Sequence, residues 1–322
     1  KVVREAIDSL KLQDGAATTL RDGRLKLTQL PGGTSEQEGW QTDFTATVVT
    51  DDASFVAGVP FNLVDGEFDF DVHHVPGEPL RLSMDCRLDR ATVMGQSLTN
   101  MTAPLRMNEA GDEAIVSPIK ADVERGAMSG EARFGMAGNR RYSSSLELAG
   151  VPLGRFMDSP TDEVADTTDH SMDGLVYASV SIAGERDDPA SRRGRAMIRV
   201  LDGSMARIPL VMQAVQLVQL TLPFSGKLDF ADADMYLVGD RVVFEKLLFE
   251  STVGNNATLQ LFGEGEMNFD TLELNLRFRS RSGIAFIRDI VGGVSDRLFA
   301  IEVTGTLREP KSRIVPLPGG KP

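Results

Sequence analysis

The stretch Leu272-Glu273-Leu274-Asn275-Leu276-Arg277-Phe278-Arg279 decides the fold, because apolar and polar residues alternate through it without a break. Successive side chains of a β-strand point to opposite faces, so such a stretch gives a sheet one apolar and one hydrated face. The same pattern recurs along the chain. Leu80, Leu82, Met84, Cys86 and Leu88 alternate with Arg81, Ser83, Asp85, Arg87 and Asp89, and Phe68, Phe70 and Val72 sit between Glu67, Asp69, Asp71 and His73. Further strands are expected over residues 42–49, 129–136, 142–148, 175–183, 196–201, 230–238, 242–249, 258–269 and 299–307, with alternation beginning near Arg24. Turn signals separate them at Asp22-Gly23, Pro31-Gly32-Gly33, Pro76-Gly77, Asn108 to Gly111, Asn139 and Gly239-Asp240. Strands of about eight residues, each spanning roughly 26 Å, at this regular spacing predict an antiparallel all-β protein. No βαβ period is present.

With 322 residues the chain can bury one large core or two medium ones. The acidic, Thr-rich run 158–173 (DSPTDEVADTTDHSMD) lacks alternation and reads as a linker between an N-terminal β module, 1–157, and a C-terminal one, 174–322. Two segments leave the β rhythm. Residues 208–224 (IPLVMQAVQLVQLTLPF) carry no charge, with Pro209 suited to a helix first turn and Pro223 closing the run, which predicts a helix near 208–222. It is too short and too rich in glutamine for a membrane span. Residues 284–298 place Ile287, Ile290, Val291, Val294 and Leu298 on one face of an amphipathic helix, weakened by Gly292 and Gly293. Both helices are expected to cover a sheet.

A net charge of -13 argues against nucleic acid as a partner and against broad docking to anionic headgroups. The single cysteine, Cys86, excludes an intrachain disulfide and a cysteine-cluster metal site. Its place on an apolar strand face reads as a small buried hydrophobe. His73 and His74 point to opposite faces, and His170 lies in the linker, so no convergent metal set is expected. There is no G-x-S-x-G, no P-loop, no EF-hand and no zinc-protease helix. Gly263-Glu264-Gly265 lacks a third glycine and lies within a strand pattern, which excludes a dinucleotide fingerprint. The pairs Asp69/Asp71 and Asp232/Asp234 share strand faces but read as solvated charge rather than as a glycosidase pair. The chemistry expected of this chain is therefore non-enzymatic, with no cofactor and no metal. It opens at Lys1 in mid-pattern, without an initiator Met, and reads as a processed or excised fragment, so that any anchor is expected upstream of it.

From Gly174-Leu175 onward the pieces form one connected series. They are "GRAMIRVLDGS", "RIPLVMQAVQLVQLTLP", "DADMYLVGDRVVFEKLLFES", "LQLFGEGEMNFDTLELNLRFR" and "FAIEVTGTLREPKSRI". This series resembles the C-terminal region of AsmA-like proteins, and residues 80–154 are similar to the part that precedes it. The resemblance covers about two thirds of the chain and is carried by the ensemble rather than by any one motif. It implies a periplasm-facing protein, anchored in the inner membrane when complete and linked to outer-membrane biogenesis. It also implies an architecture similar to bridge-like lipid-transfer proteins, with long curved antiparallel sheets forming an apolar groove.

On this reading the groove binds a phospholipid or another acyl lipid, and its lining is expected from Phe68, Phe70, Leu80, Leu82, Met84, Leu272, Leu274, Leu276 and Phe278. The same residues would equally suit plain packing beneath the two helices. A second expectation is therefore an envelope assembly module with a fully packed sheet that contacts other envelope proteins. A third is a glycan-directed enzyme using strand-face carboxylates.

Overall fold

The computed structural model describes residues 17–30, 39–57, 59–93, 95–136, 138–153, 174–203, 229–253, 257–282, 299–306 and 309–316. They form seventeen β-strands and no helical element, so the protein is mainly β, as the alternation predicts. The expected helices at 208–222 and 284–298 and the linker 158–173 lie outside the described residues. Among the described residues no helix is long and apolar enough to cross a membrane.

The chain divides into two compact units, residues 1–151 with 158–164 and residues 152–157 with 165–322. The first contains β1 (Ala17–Gln29), β2 (Trp40–Ala57), β3 (Val59–His74), β4 (Arg81–Val93), β5 (Gln96–Thr102), β6 (Leu105–Met107), β7 (Glu113–Val123), β8 (Gly126–Gly135) and β9 (Arg141–Pro152). Each strand from β1 to β4 pairs antiparallel with the next. β5 and β6 then share one place between β4 and β7. Pro104 sits at the break between them, where a missing N–H costs no ladder bond. β7, β8 and β9 continue the antiparallel run.

The second unit contains β10 (Leu175–Glu185), β11 (Asp188–Leu201), β12 (Phe230–Val238), β13 (Arg241–Val253), β14 (Ala257–Asn268), β15 (Glu273–Ser282), β16 (Phe299–Thr306) and β17 (Pro310–Pro316). Every consecutive pair is antiparallel, an unbroken meander.

Several strands exceed the expected length. β2 has 18 residues and β3 has 16. Bulges make this possible by letting a long strand twist without losing its neighbours. Asp22-Gly23, expected as a turn, is such a bulge inside β1, with Asp22 at φ 50 and the register shifting between Arg21 and Arg24. Leu272, expected on a strand, lies in the β14–β15 turn at φ 59, one residue before β15 begins. Leu80 likewise precedes β4.

Register assembles the core of the second unit. Leu274 pairs with Met267, Leu276 with Gly265 and Val303, and Phe278 with Gly263 and Ile301. These apolar residues and Leu247 form one buried cluster, flanked by Ala233, Phe244, Phe249 and Met267. Gly263 and Gly265 are what the cluster requires of β14. A Cβ on Gly263 would overlap the Phe278 ring, and one on Gly265 would meet the backbone at Asn275 and Leu276.

Gly263→Ala should therefore destabilise the protein by about 1–3 kcal/mol through overpacking. Leu276→Ala should cost about 2–5 kcal/mol by opening a cavity. Urea denaturation measures both, and unchanged midpoints would remove the cluster from its structural role.

Candidate functional site

In the first unit register gathers a second apolar face. Phe44, Ala46 and Val48 of β2 lie opposite Val72, Phe70 and Phe68 of β3, which in turn face Leu82, Met84 and Cys86 of β4. On the other side of β2, Leu25 pairs with Phe44, Leu27 with Thr42 and Leu20 with Val48, so β1 extends the same face. An aromatic row runs along it. Phe55 stacks on Phe61 with centroids 5.0 Å apart and meets Phe68 edge-on at 5.9 Å, and Phe68 lies 6.5 Å from Phe70.

Burial changes across this face. Leu88, Leu98, Met101 and Val123, on β4, β5 and β7, are buried. Phe68, Phe70, Leu82 and Met84 are half-buried. Leu20, Leu25 and Leu27 of β1 stand 54–62% exposed. Single exposed apolar residues are ordinary on proteins, but three on one face of one strand, beside half-open aromatics, are not.

The residues expected to line a groove therefore separate into two groups. Phe68, Phe70, Leu82 and Met84 belong to the half-open face of the first unit, and Leu80 is half-buried just ahead of β4. Leu274, Leu276 and Phe278 belong to the buried cluster of the second, and Leu272 is set apart in its turn. The β1 leucines escaped the sequence reading because alternation shows which face a residue takes, not what covers it.

The opposite face is held by ion pairs. Asp69 accepts hydrogen bonds from the Thr47 hydroxyl at 2.7 Å and the Arg87 guanidinium at 2.9 Å, and both hold its carboxyl below the usual range. Asp65 is lowered chiefly by the Asp52 backbone N–H, at 2.8 Å, with help from Arg90. Asp43 is lowered chiefly by its hydrogen bond with His73, then by the Gln41 amide. Asp232, expected to be solvated, is buried instead, with the Lys246 ammonium at 2.6 Å and the Arg199 guanidinium at 3.8 Å. Asp234 is taken by Arg195 at 3.1 Å. These carboxylates are occupied by structural partners rather than poised for acid–base work.

Two further groups among the described residues are likewise engaged or inert. Asp51, Asp52 and Asp65 converge within 4.8 Å, but Arg90 binds Asp52 and Asp65. Burial pushes the Cys86 thiol up to about 12, which leaves it protonated and unreactive. An open cavity of about 540 Å³ lies at the turn end of β13–β16, with Asp240, Arg241, Glu266, Asn268, Glu273 and Asn275 in its walls. Met267, Leu274 and Thr306 complete its walls, which mix polar and apolar surface. Comparison of the chain with protein-family models, with curated proteins and with solved structures finds no match.

Two outcomes follow for this face and its reverse. Native Cys86 should resist maleimide labelling at pH 8 and react once the protein is denatured; rapid native labelling would contradict its burial. The depressed Asp65 and Asp69 contribute stability that is complete above the ordinary value of 3.8 and is lost as pH falls through their lower folded values. Asp69→Asn should flatten that acid limb in pH-dependent urea melts, and an unchanged limb would dismiss its contribution.

Proposed function

We propose that this chain is a non-enzymatic cell-envelope protein that binds or transfers acyl lipids along an apolar β-groove. The observation that carries the reading is the open apolar face of β1–β4, with Leu20, Leu25 and Leu27 exposed beside Phe44, Phe68 and Phe70. Such a face gains about 25 cal/mol for each Å² it removes from water, and an acyl chain supplies matching surface without needing polar partners. Headgroups would remain in solvent. The resemblance of the C-terminal series to AsmA-like proteins supports a periplasmic setting, an inner-membrane anchor upstream of this chain and a part in outer-membrane biogenesis.

A second reading, an envelope assembly module with no lipid, is favoured by the fully buried state of Leu276, Phe278 and Val303. A packed cluster needs no ligand. The two readings differ at the first unit, where the apolar face is open.

Leu25→Asp with Leu27→Asp separates them, since both side chains are exposed and the variant should keep its denaturation midpoint. Native mass spectrometry of the purified protein should find co-purified phospholipid, with occupancy reduced about tenfold or more in the variant, as expected when an apolar contact becomes a charge. A wild-type protein that stays lipid-free after incubation with liposomes would favour the assembly module.

A further inference from the structure

Among the described residues, the two ends of the first unit differ in chemistry. The connections after β3, β6 and β8 carry Glu78, Glu109, Asp112 and Arg140. At the other end the β2–β3 hairpin lies within residues 53–64 (ASFVAGVPFNLV), and the β4–β5 hairpin lies within residues 91–105 (ATVMGQSLTNMTAPL). Neither stretch contains a charged residue, in a chain with net charge -13. The two hairpins are neighbours, because Val93 pairs with both Phe61 and Gln96. The β7–β8 connection at this end carries one charge of each sign, Glu124 and Arg125.

The β2–β3 tip presents apolar side chains to solvent, with Val56, Val59 and Leu63 36–50% exposed. Leu63 is held at φ 51, a conformation that a bulky residue rarely adopts, and its side chain is left outside. Below the tips charge begins abruptly. Asp51, Asp52, Asp65 and Asp89 carry four negative charges there, with Arg90 bridging Asp52 at 3.0 Å and Asp65 at 2.7 Å. Above this collar Phe55 and Phe61 stack and connect the tip to Phe68 on the open apolar face.

We infer that this end of the first unit docks on a bilayer of zwitterionic lipid, with the β2–β3 tip entering the interfacial layer. The hairpin is suited to that medium because β2 and β3 pair out to Ala57 and Val59, which limits the number of unpaired backbone groups at the tip. The collar fixes the depth, since its carboxylates stay hydrated at headgroup level. With four carboxylates against one guanidinium it repels anionic headgroups and attracts the ammonium of a phosphocholine or phosphoethanolamine. A second copy is a poorer occupant, because tip-to-tip contact would bring two acidic collars together. The purpose of docking rests on the lipid-binding reading: the aromatic row gives a lipid a continuous apolar path from the tip to the open face.

The test is flotation of the full chain with phosphatidylcholine vesicles and with vesicles containing added phosphatidylglycerol. Wild type should float with the former and less with the latter. Val56→Asp with Val59→Asp should weaken binding on the order of tenfold or more, while Glu78→Lys at the opposite end leaves phosphatidylcholine binding unchanged. A Val59→Trp, Trp40→Phe variant gives a direct readout, a blue shift on vesicle addition and quenching by brominated lipid. Wild type that fails to float, or floats equally with and without the two valines, overturns the inference. So does a valine-dependent dimer that ignores vesicles. Lipid occupancy by native mass spectrometry is scored separately: occupied protein that does not float leaves the groove standing and removes the docking end, whereas empty protein that floats does the reverse.

Discussion

Antiparallel registration sorts the side chains of this protein, and the rest of the structure depends on it. Each strand has a period of two, so a slip of one residue would carry a whole apolar set to the wet face and a whole charged set inward. β14 shows how tightly the pairing is specified. Gly263 and Gly265 lie opposite Phe278 and Leu276, and only that alignment places the missing side chains under the bulky ones. Bulges do the complementary work in the first unit. They absorb extra residues at Asp22 and around Asp52 and Leu63, so strands of very different length keep one alternation.

The same sorting explains how the carboxylates of the described strands come to be held by structural partners. Alternation delivers the charges to one face, where cross-strand neighbours of opposite sign stand within reach. Thr47, Asp69 and Arg87 span three strands in this way, as do Arg199, Asp232 and Lys246. Exposed pairs contribute little stability individually. Asp232 differs because it is buried, and losing the Lys246 ammonium would leave its charge to the Arg199 guanidinium alone, at 3.8 Å. The polar face is thus an element of registration, and the functional question moves to the other face.

How much of this was legible in the sequence follows from what alternation encodes. It reports direction, so the mainly β class, the sides taken by Phe68, Phe70, Leu274, Leu276 and Phe278, and the opposite faces of His73 and His74 could all be read. It does not report cover. Phe68-Asp69-Phe70 and Leu276-Arg277-Phe278 are nearly the same pattern, yet the first is half-open and the second fully buried. Local backbone conformation was hidden for a different reason. Asp-Gly at 22–23 satisfies a bulge as readily as a turn, and Leu272 continues the alternation in letters while its φ of 59 takes it out of the strand. The burial of Asp232 was invisible because it depends on Lys246, a neighbour only through pairing of β12 with β13.

Both units bury part of their apolar side chains and leave part open, with Leu175, Tyr177 and Met197 exposed in the second and the β1 leucines in the first. An apolar face is stabilised by cover from protein, a ligand or a membrane, since leaving it in water costs free energy in proportion to its area. In the second unit Leu276, Phe278 and Val303 are removed from solvent altogether. In the first, exposure rises from the buried Leu88 and Leu98 through the half-buried phenylalanines to the open leucines of β1. The strong negative charge of the chain keeps an open apolar face from driving aggregation without closing it. Under the proposed reading it would also disfavour nucleic acid and anionic surfaces while leaving an acyl chain, which carries no charge along its length, unopposed. An apolar face left open on an acidic body therefore selects its occupant by chemistry.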